Sequence, residues 1–81
     1  MVVGQNSRDL EVEVKEYARA IAREIRRNRE RVERICIKQA VFVDGWHVQV
    51  ITDRYVYGYM ADHKNEAEMM VKALRRLLGL R

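Results

Sequence analysis

Apolar residues recur at helical spacing through the first third of the chain. Leu10, Val14, Tyr17, Ala18, Ile21, Ala22, Ile25 and Val32 mostly fall three or four positions apart, which marks an amphipathic helix with one face toward a core. Asn6 or Ser7 is a suitable cap, and Asp9 and Glu11 put negative charge where the helix dipole favours it. Residues 1–8 read as a loose leader before the domain. A second pattern overlaps the first. Leu10-Glu11-Val12-Glu13-Val14-Lys15 also alternates with period two, so a short strand followed by a later helix is the competing expectation. The run Arg26-Arg27-Asn28-Arg29-Glu30-Arg31 is almost wholly polar and reads as the exposed or frayed helix end. Arg26–Glu30, Arg29–Glu33 and Glu30–Arg34 are spaced there as i,i+4 ion pairs.

The period then changes to two. Ile35, Ile37, Val41 and Val43 alternate with Cys36, Lys38, Ala40 and Phe42, and Trp46-His47-Val48-Gln49-Val50-Ile51-Thr52 follows Asp44-Gly45. Asp-Gly between two β-prone runs predicts a tight hairpin of type I′, with Val43 facing Trp46, Phe42 facing His47 and Val41 facing Val48. A second hairpin is expected at Asp53-Arg54, leading into Tyr55-Val56-Tyr57-Gly58-Tyr59-Met60, with Val50 facing Tyr57 and Val48 facing Tyr59. Asp62 or His63 opens the last helix, Asp62 being the better cap by chemistry. Its apolar face is Ala67, Met70, Val71, Leu74, Leu77 and Leu78, and Gly79 is a fitting terminator.

The expected fold is therefore α+β, in the order α-β-β-β-α. A three-stranded antiparallel meander has both helices packed on one face, as a single small domain over 9–81. That covered face carries Ile35, Ile37, Val41, Val43, Trp46, Val48, Val50, Tyr55, Tyr57 and Tyr59. The other carries Cys36, Lys38, Ala40, Phe42, His47, Gln49, Ile51, Val56, Gly58 and Met60. Phe42, Ile51, Val56 and Met60 make the second face partly apolar, and a sizeable exposed apolar patch points to a partner. The candidate interaction face is Phe42, His47, Gln49, Ile51, Val56 and Met60. The alternative is that the leader or a folded-back helix end covers it. The chain has only 81 residues, and so short a chain builds a modest core, so burial within an oligomer fits the pattern.

Charge adds a second picture. The net charge is +4, with +2 over residues 1–34, −1 over 35–63 and +3 over 64–81. Arg19, Arg23, Arg27, Arg31 and Arg34 form a drifting stripe along the first helix. Lys64, Lys72, Arg75, Arg76 and Arg81 lie on or after the last one. Neighbouring helices would merge these into one positive surface suited to phosphate backbone. A solvated face with Glu partners is the simpler reading.

Catalytic chemistry is harder to find. Cys36 is the only cysteine, which excludes an internal disulfide. It reads as a semi-buried thiol, placed by the expected register far from His47. His47 and His63 match no metal spacing. Asp44 and Asp53 read as turn residues, and the helix glutamates as a solvated face. No phosphate-binding glycine loop or nucleophile elbow occurs. Gly58 marks a bulge or a close backbone approach. Tyr55, Tyr57 and Tyr59 share a face and read as core residues; a one-residue slip would turn them into an exposed ladder for stacking bases. No enzyme, catalytic residue, metal or cofactor is expected. With neither a signal peptide nor a membrane span in the pattern, the expectation is a cytoplasmic chain with no membrane partner.

The α-β-β-β-α order and length are similar to those of double-stranded-RNA-binding domains. In the place where those domains carry basic residues at the start of the last helix, this chain has His63-Lys64-Asn65-Glu66-Ala67. Lys64 matches the basic pattern, Glu66 and Glu68 oppose it, and the expected Asp44-Gly45 hairpin is tighter than that family's minor-groove loop. The resemblance is one of topology. The leading expectation is a non-enzymatic protein-interaction or homo-oligomerising module, most simply a dimer. The alternative is a basic nucleic-acid-binding protein using Arg19, Arg23, Arg27, Arg31, Arg34, Lys64, Lys72, Arg75 and Arg76.

Overall fold

A computed structural model describes residues 7–80. The order is α1 (Ser7–Arg27), β1 (Val32–Gln39), β2 (Trp46–Thr52), β3 (Val56–Ala61) and α2 (Lys64–Leu77). The strands form one antiparallel sheet in the order β1-β2-β3. The fold is the expected α+β meander with its helices on one side. Residues 1–6 of the expected leader, and the cap at Asn6, lie outside the described residues. The helix already includes residues 7 and 8 and runs through Leu10–Lys15. The period-two alternation there is thus coincidental: Val14 is fully buried on the helical stripe, while Val12 is exposed.

One core joins all the elements. Val14, Ala18 and Ile25 of α1 meet Val48 and Val50 of β2, Ala61 of β3, and Ala67, Met70 and Leu74 of α2. Each connection reverses the chain, so α1 and α2 run in the same direction. The Arg26 guanidinium donates to the Leu77 carbonyl, satisfying an acceptor that a helix C-terminus leaves open.

The end of α1 differs from the expectation. The helix stops at Arg27, not near Val32. Glu30 N donates to Ile25 O (2.9 Å) and Arg29 N to Arg26 O (3.1 Å), a Schellman closure that puts Arg29 at the left-handed position with φ 54°. The three expected i,i+4 pairs around Glu30 are therefore not formed. Among the described residues, α1 carries the ion pairs Lys15–Glu11 (3.0 Å) and Arg27–Glu24 (3.6 Å). α2 ends in the same way, with Leu80 N donating to Arg75 O (2.7 Å) and Gly79 at φ 70°. Val32 belongs to β1. The pairing shifts between Val32 (opposite Thr52) and Arg34 (opposite Ile51), and this bulge lets Val32 pack against the core.

The first hairpin is also corrected. Gln39, not Val43, pairs with Trp46, and Ile37 pairs with Val48. The register is displaced by four residues, and 40–45 form an open loop closed by Ala40 N donating to Gly45 O (3.0 Å). Because the displacement is even, the residues left in the strands keep their expected faces. Val41 and Val43 leave the covered face, and Phe42 leaves the strand and stands 97% exposed. The second hairpin has the expected register, Val50 with Tyr57 and Val48 with Tyr59. Asp53 and Arg54 avoid positive φ. Thr52 Oγ1 instead accepts from Arg54 N (3.2 Å) and Tyr55 N (2.9 Å), so the side chain performs the turn chemistry.

A non-glycine residue at positive φ carries strain that glycine does not. Arg29→Gly is expected to raise the unfolding free energy by about 0.5 kcal/mol, and Gly79→Ala to lower it by about 1 kcal/mol. Urea denaturation followed by circular dichroism reads both. An unchanged Arg29→Gly midpoint would contradict the strain assigned to Arg29.

Candidate interaction surfaces

The sheet face away from the helices consists of three cross-strand rows. They are Arg34–Ile51–Val56, Cys36–Gln49–Gly58 and Lys38–His47–Met60. Five of the six expected interaction residues, His47, Gln49, Ile51, Val56 and Met60, lie together here. Phe42 does not, because it sits in the 40–45 loop between exposed Val41 and Val43. Val56 is 59% and Met60 49% exposed. Gly58 lies under the His47 ring: a β-carbon added there would stand 2.9 Å from Nε2. The glycine therefore serves a close approach, and the pairing at Gly58 is regular.

The register brings Cys36 into the row beside His47, correcting the expectation that they lie far apart. They form no dyad. Cys36 Sγ hydrogen-bonds to Gln49 Oε1 (3.8 Å). Among the described residues, no cluster of three or more His, Cys, Asp or Glu residues could hold a metal.

The helix side holds two carboxylates that the sequence reading treated as solvated. Glu30 is 9% and Glu66 6% exposed. Glu30 accepts from Thr52 Oγ1 (2.5 Å), Tyr57 Oη (2.6 Å) and Asn28 Nδ2 (2.9 Å). Glu66 accepts from Tyr59 Oη (2.5 Å) and, reaching back one turn, from the Asp62 backbone N–H (3.2 Å). The N-cap of α2 is His63, without a side-chain cap bond. Asp62 is therefore not the cap, and Glu66 covers the helix start in its place. Tyr57 and Tyr59 are core residues with polar tips, as expected. Tyr59 also packs against Tyr17 with ring centroids 5.2 Å apart, and Tyr55 is largely exposed. The only signals for these networks were a break in helical period before Glu30 and a Glu in the first turn of α2.

The structure brings part of the basic set together and leaves the rest apart. Arg19, Arg23, Arg26 and Arg27 line a shallow groove with Ala22 and Leu77, and Lys15 and Arg76 flank its continuation. Arg34 lies beside Arg75 near β1. Lys72 lies farther along α2 beside Ile37. Lys64 stands over the Trp46 ring at the opposite end of α2, 5.5 Å from the centroid. Arg31 is in the exposed α1–β1 connection, and Arg81 lies outside the described residues. The groove arginines surround two parallel helix C-termini, each equivalent to roughly half a negative charge. The 40–45 loop is longer than the tight turn weighed against the RNA-binding resemblance, but Ala40-Val41-Phe42-Val43-Asp44-Gly45 carries no basic residue.

No helix among the described residues is long and apolar enough to cross a membrane. The chain matches no protein-family model, no curated protein and no solved structure.

The Tyr57–Glu30 pair makes stability depend on pH at both extremes. Burial pushes the Glu30 pKa up, but hydrogen bonds from Thr52, Tyr57 and Asn28 and the charge of Arg54 outweigh it, leaving it below 4.5. Burial, the bond to Glu30 and the Glu30 charge push Tyr57 from 10.0 up to about 12. A lowered carboxylate pKa stabilises the fold above its unfolded value, and that contribution is lost as pH falls through the folded value. A raised phenol pKa stabilises below the unfolded value, and its contribution is lost between pH 10.0 and about 12. Glu30→Gln is expected to flatten the acid limb of stability against pH, and Tyr57→Phe part of the alkaline limb. Denaturant midpoints measured across pH check this; slopes identical to wild type would contradict it.

Proposed function

We propose that this chain is a small, non-enzymatic interaction module that associates with itself, in its simplest form as a dimer. The observation that carries the reading is the sheet face left uncovered among the described residues, where Ile51, Val56 and Met60 lie on the same surface while the helices cover only the opposite side. Apolar surface of this kind gains free energy when a partner removes it from water. The exposed Val41-Phe42-Val43 segment adds apolar area near the same end of β3 as Met60, since Met60 Sδ lies close to Gly45. We place the module in the cytoplasm, where the lone Cys36 stays reduced. Sedimentation equilibrium into the high micromolar range is expected to give a dimer. A monomer at every concentration overturns the reading.

A second reading is phosphate-backbone binding, favoured by the groove of Arg19, Arg23, Arg26 and Arg27. Fluorescence anisotropy with single-stranded DNA and double-stranded RNA at low salt is expected to show weak, sequence-independent binding that salt abolishes. Arg19→Glu with Arg23→Glu is expected to remove it. No binding at low salt rejects this reading.

A further inference from the structure

We propose that two copies of the chain pair antiparallel along β3, centred on Gly58, to make one continuous six-stranded sheet. This rests on the self-association reading and places the contact along the β3 edge that borders that face, where Val56 and Met60 lie, rather than over the face. The sheet has two edges, and they are not equivalent. β1 has a bulge at its start and carries Glu33, Arg34 and Lys38, devices that discourage edge pairing. β3, Val56-Tyr57-Gly58-Tyr59-Met60-Ala61, has no charge, proline or irregular pairing.

The backbone selects the register. Thr52 N donates to Tyr55 O, and Ala40 N to Gly45 O. Antiparallel ladders alternate, so Tyr57, Tyr59 and Ala61 direct their backbone groups toward β2, while Val56, Gly58 and Met60 direct theirs outward. Placing Gly58 opposite Gly58 of the second copy sets Val56 opposite Met60 on both sides of the dyad. Every outward-facing position of the strand then finds a partner. Val56 and Met60, both about half exposed in the single chain, become neighbours across the dyad.

Charge selects the same register. It sets Arg54 opposite Asp62 of the second copy, and Asp62 opposite Arg54. Both residues are exposed, and neither belongs to the ion pairs within the described residues. A shift of two residues in one direction puts Arg54 opposite Met60, and in the other opposite Lys64, a repulsive pair. The antiparallel arrangement lays the turn end of one copy, with Arg31, Asp53 and Arg54, beside the other copy's end bearing Asp44, Asp62 and Lys64, so the charge preference rests on the Arg54–Asp62 pairing. On the helix side, Tyr17 lies against Tyr59, and Glu24 is linked through Asn28 and Glu30 to Tyr57. The dyad therefore falls between Tyr17 and Glu24 of α1, near Ala20, which is small and exposed. The contact is isologous, so association closes at two copies, with the defended β1 strands as the outer edges.

Charge exchange tests the register. Arg54→Asp sets Asp against Asp62 and is expected to raise the dimer dissociation constant about tenfold or more. Asp62→Arg, by the same repulsion, is expected to do likewise. The double variant Arg54→Asp with Asp62→Arg is expected to restore association to near the wild-type value. Sedimentation velocity reads all four proteins, with circular dichroism confirming the fold. If a reversal variant does not fold, Arg54→Ala and Asp62→Asn replace it, with a smaller expected loss. A wild-type dimer unaffected by the single variants, or not restored by the double variant, overturns the β3 pairing and leaves self-association standing. A wild-type monomer overturns both.

Discussion

The carboxylate of Glu30 is the constraint on which the two layers of this protein depend. Its oxygens accept from Asn28 at the end of α1, Thr52 at the end of β2 and Tyr57 near the start of β3. A buried charge is costly unless it is hydrogen-bonded on several sides, and here the required donors come from different parts of the fold. Satisfying one group therefore fixes where the first helix must stop, how the chain enters β1 and how the second hairpin closes. The left-handed Arg29 just before it follows from this demand: the chain turns sharply so that Glu30 points inward. Glu66 does the same on a smaller scale, tying the start of α2 to Tyr59.

The polar anchors and the apolar core lie on the same side of the sheet. Both helices, both networks and every fully buried large side chain sit there. Among the described residues, the opposite face has neither a second layer nor a dense set of charges to solvate it. Such asymmetry leaves a sheet able to accept another surface, either over its face or along its unblocked edge. The Arg-rich groove is less telling, because its charges have a structural use beside the helix ends.

Much of the fold was legible from periodicity alone. The switch from period 3.6 to period 2 and back gave the element order, and alternation assigned the faces. The face assignment survived even where the register was wrong, since Gln39 rather than Val43 meets Trp46 and the difference is even. The Asp44-Gly45 signal misled because local turn preference does not decide how far a strand continues; the pairing partners of Ile35 and Ile37 do. Val32 continued the helical spacing by chance and packs from a strand through a bulge. The buried glutamates were illegible for a different reason. A glutamate's sequence neighbours do not show which distant hydroxyls will meet it, and Thr52 and Tyr57 lie more than twenty residues from Glu30. Of the six residues expected to share the open sheet face, five do, and Phe42 does not because the longer loop carries it away from the sheet.

The parallel helices have a consequence for the field around the molecule. Their negative ends lie side by side, and together they offset roughly one elementary charge. The nearby arginines are therefore partly compensated close to the helix ends, while the formal +4, to which dipoles add nothing, still sets the unscreened potential farther out. A polyanion approaching from solution would meet a short-ranged, uneven field rather than a broad attractive one, and ions at physiological strength would screen most of it within about 8 Å. Long-range steering is therefore a weak force for this protein at physiological ionic strength.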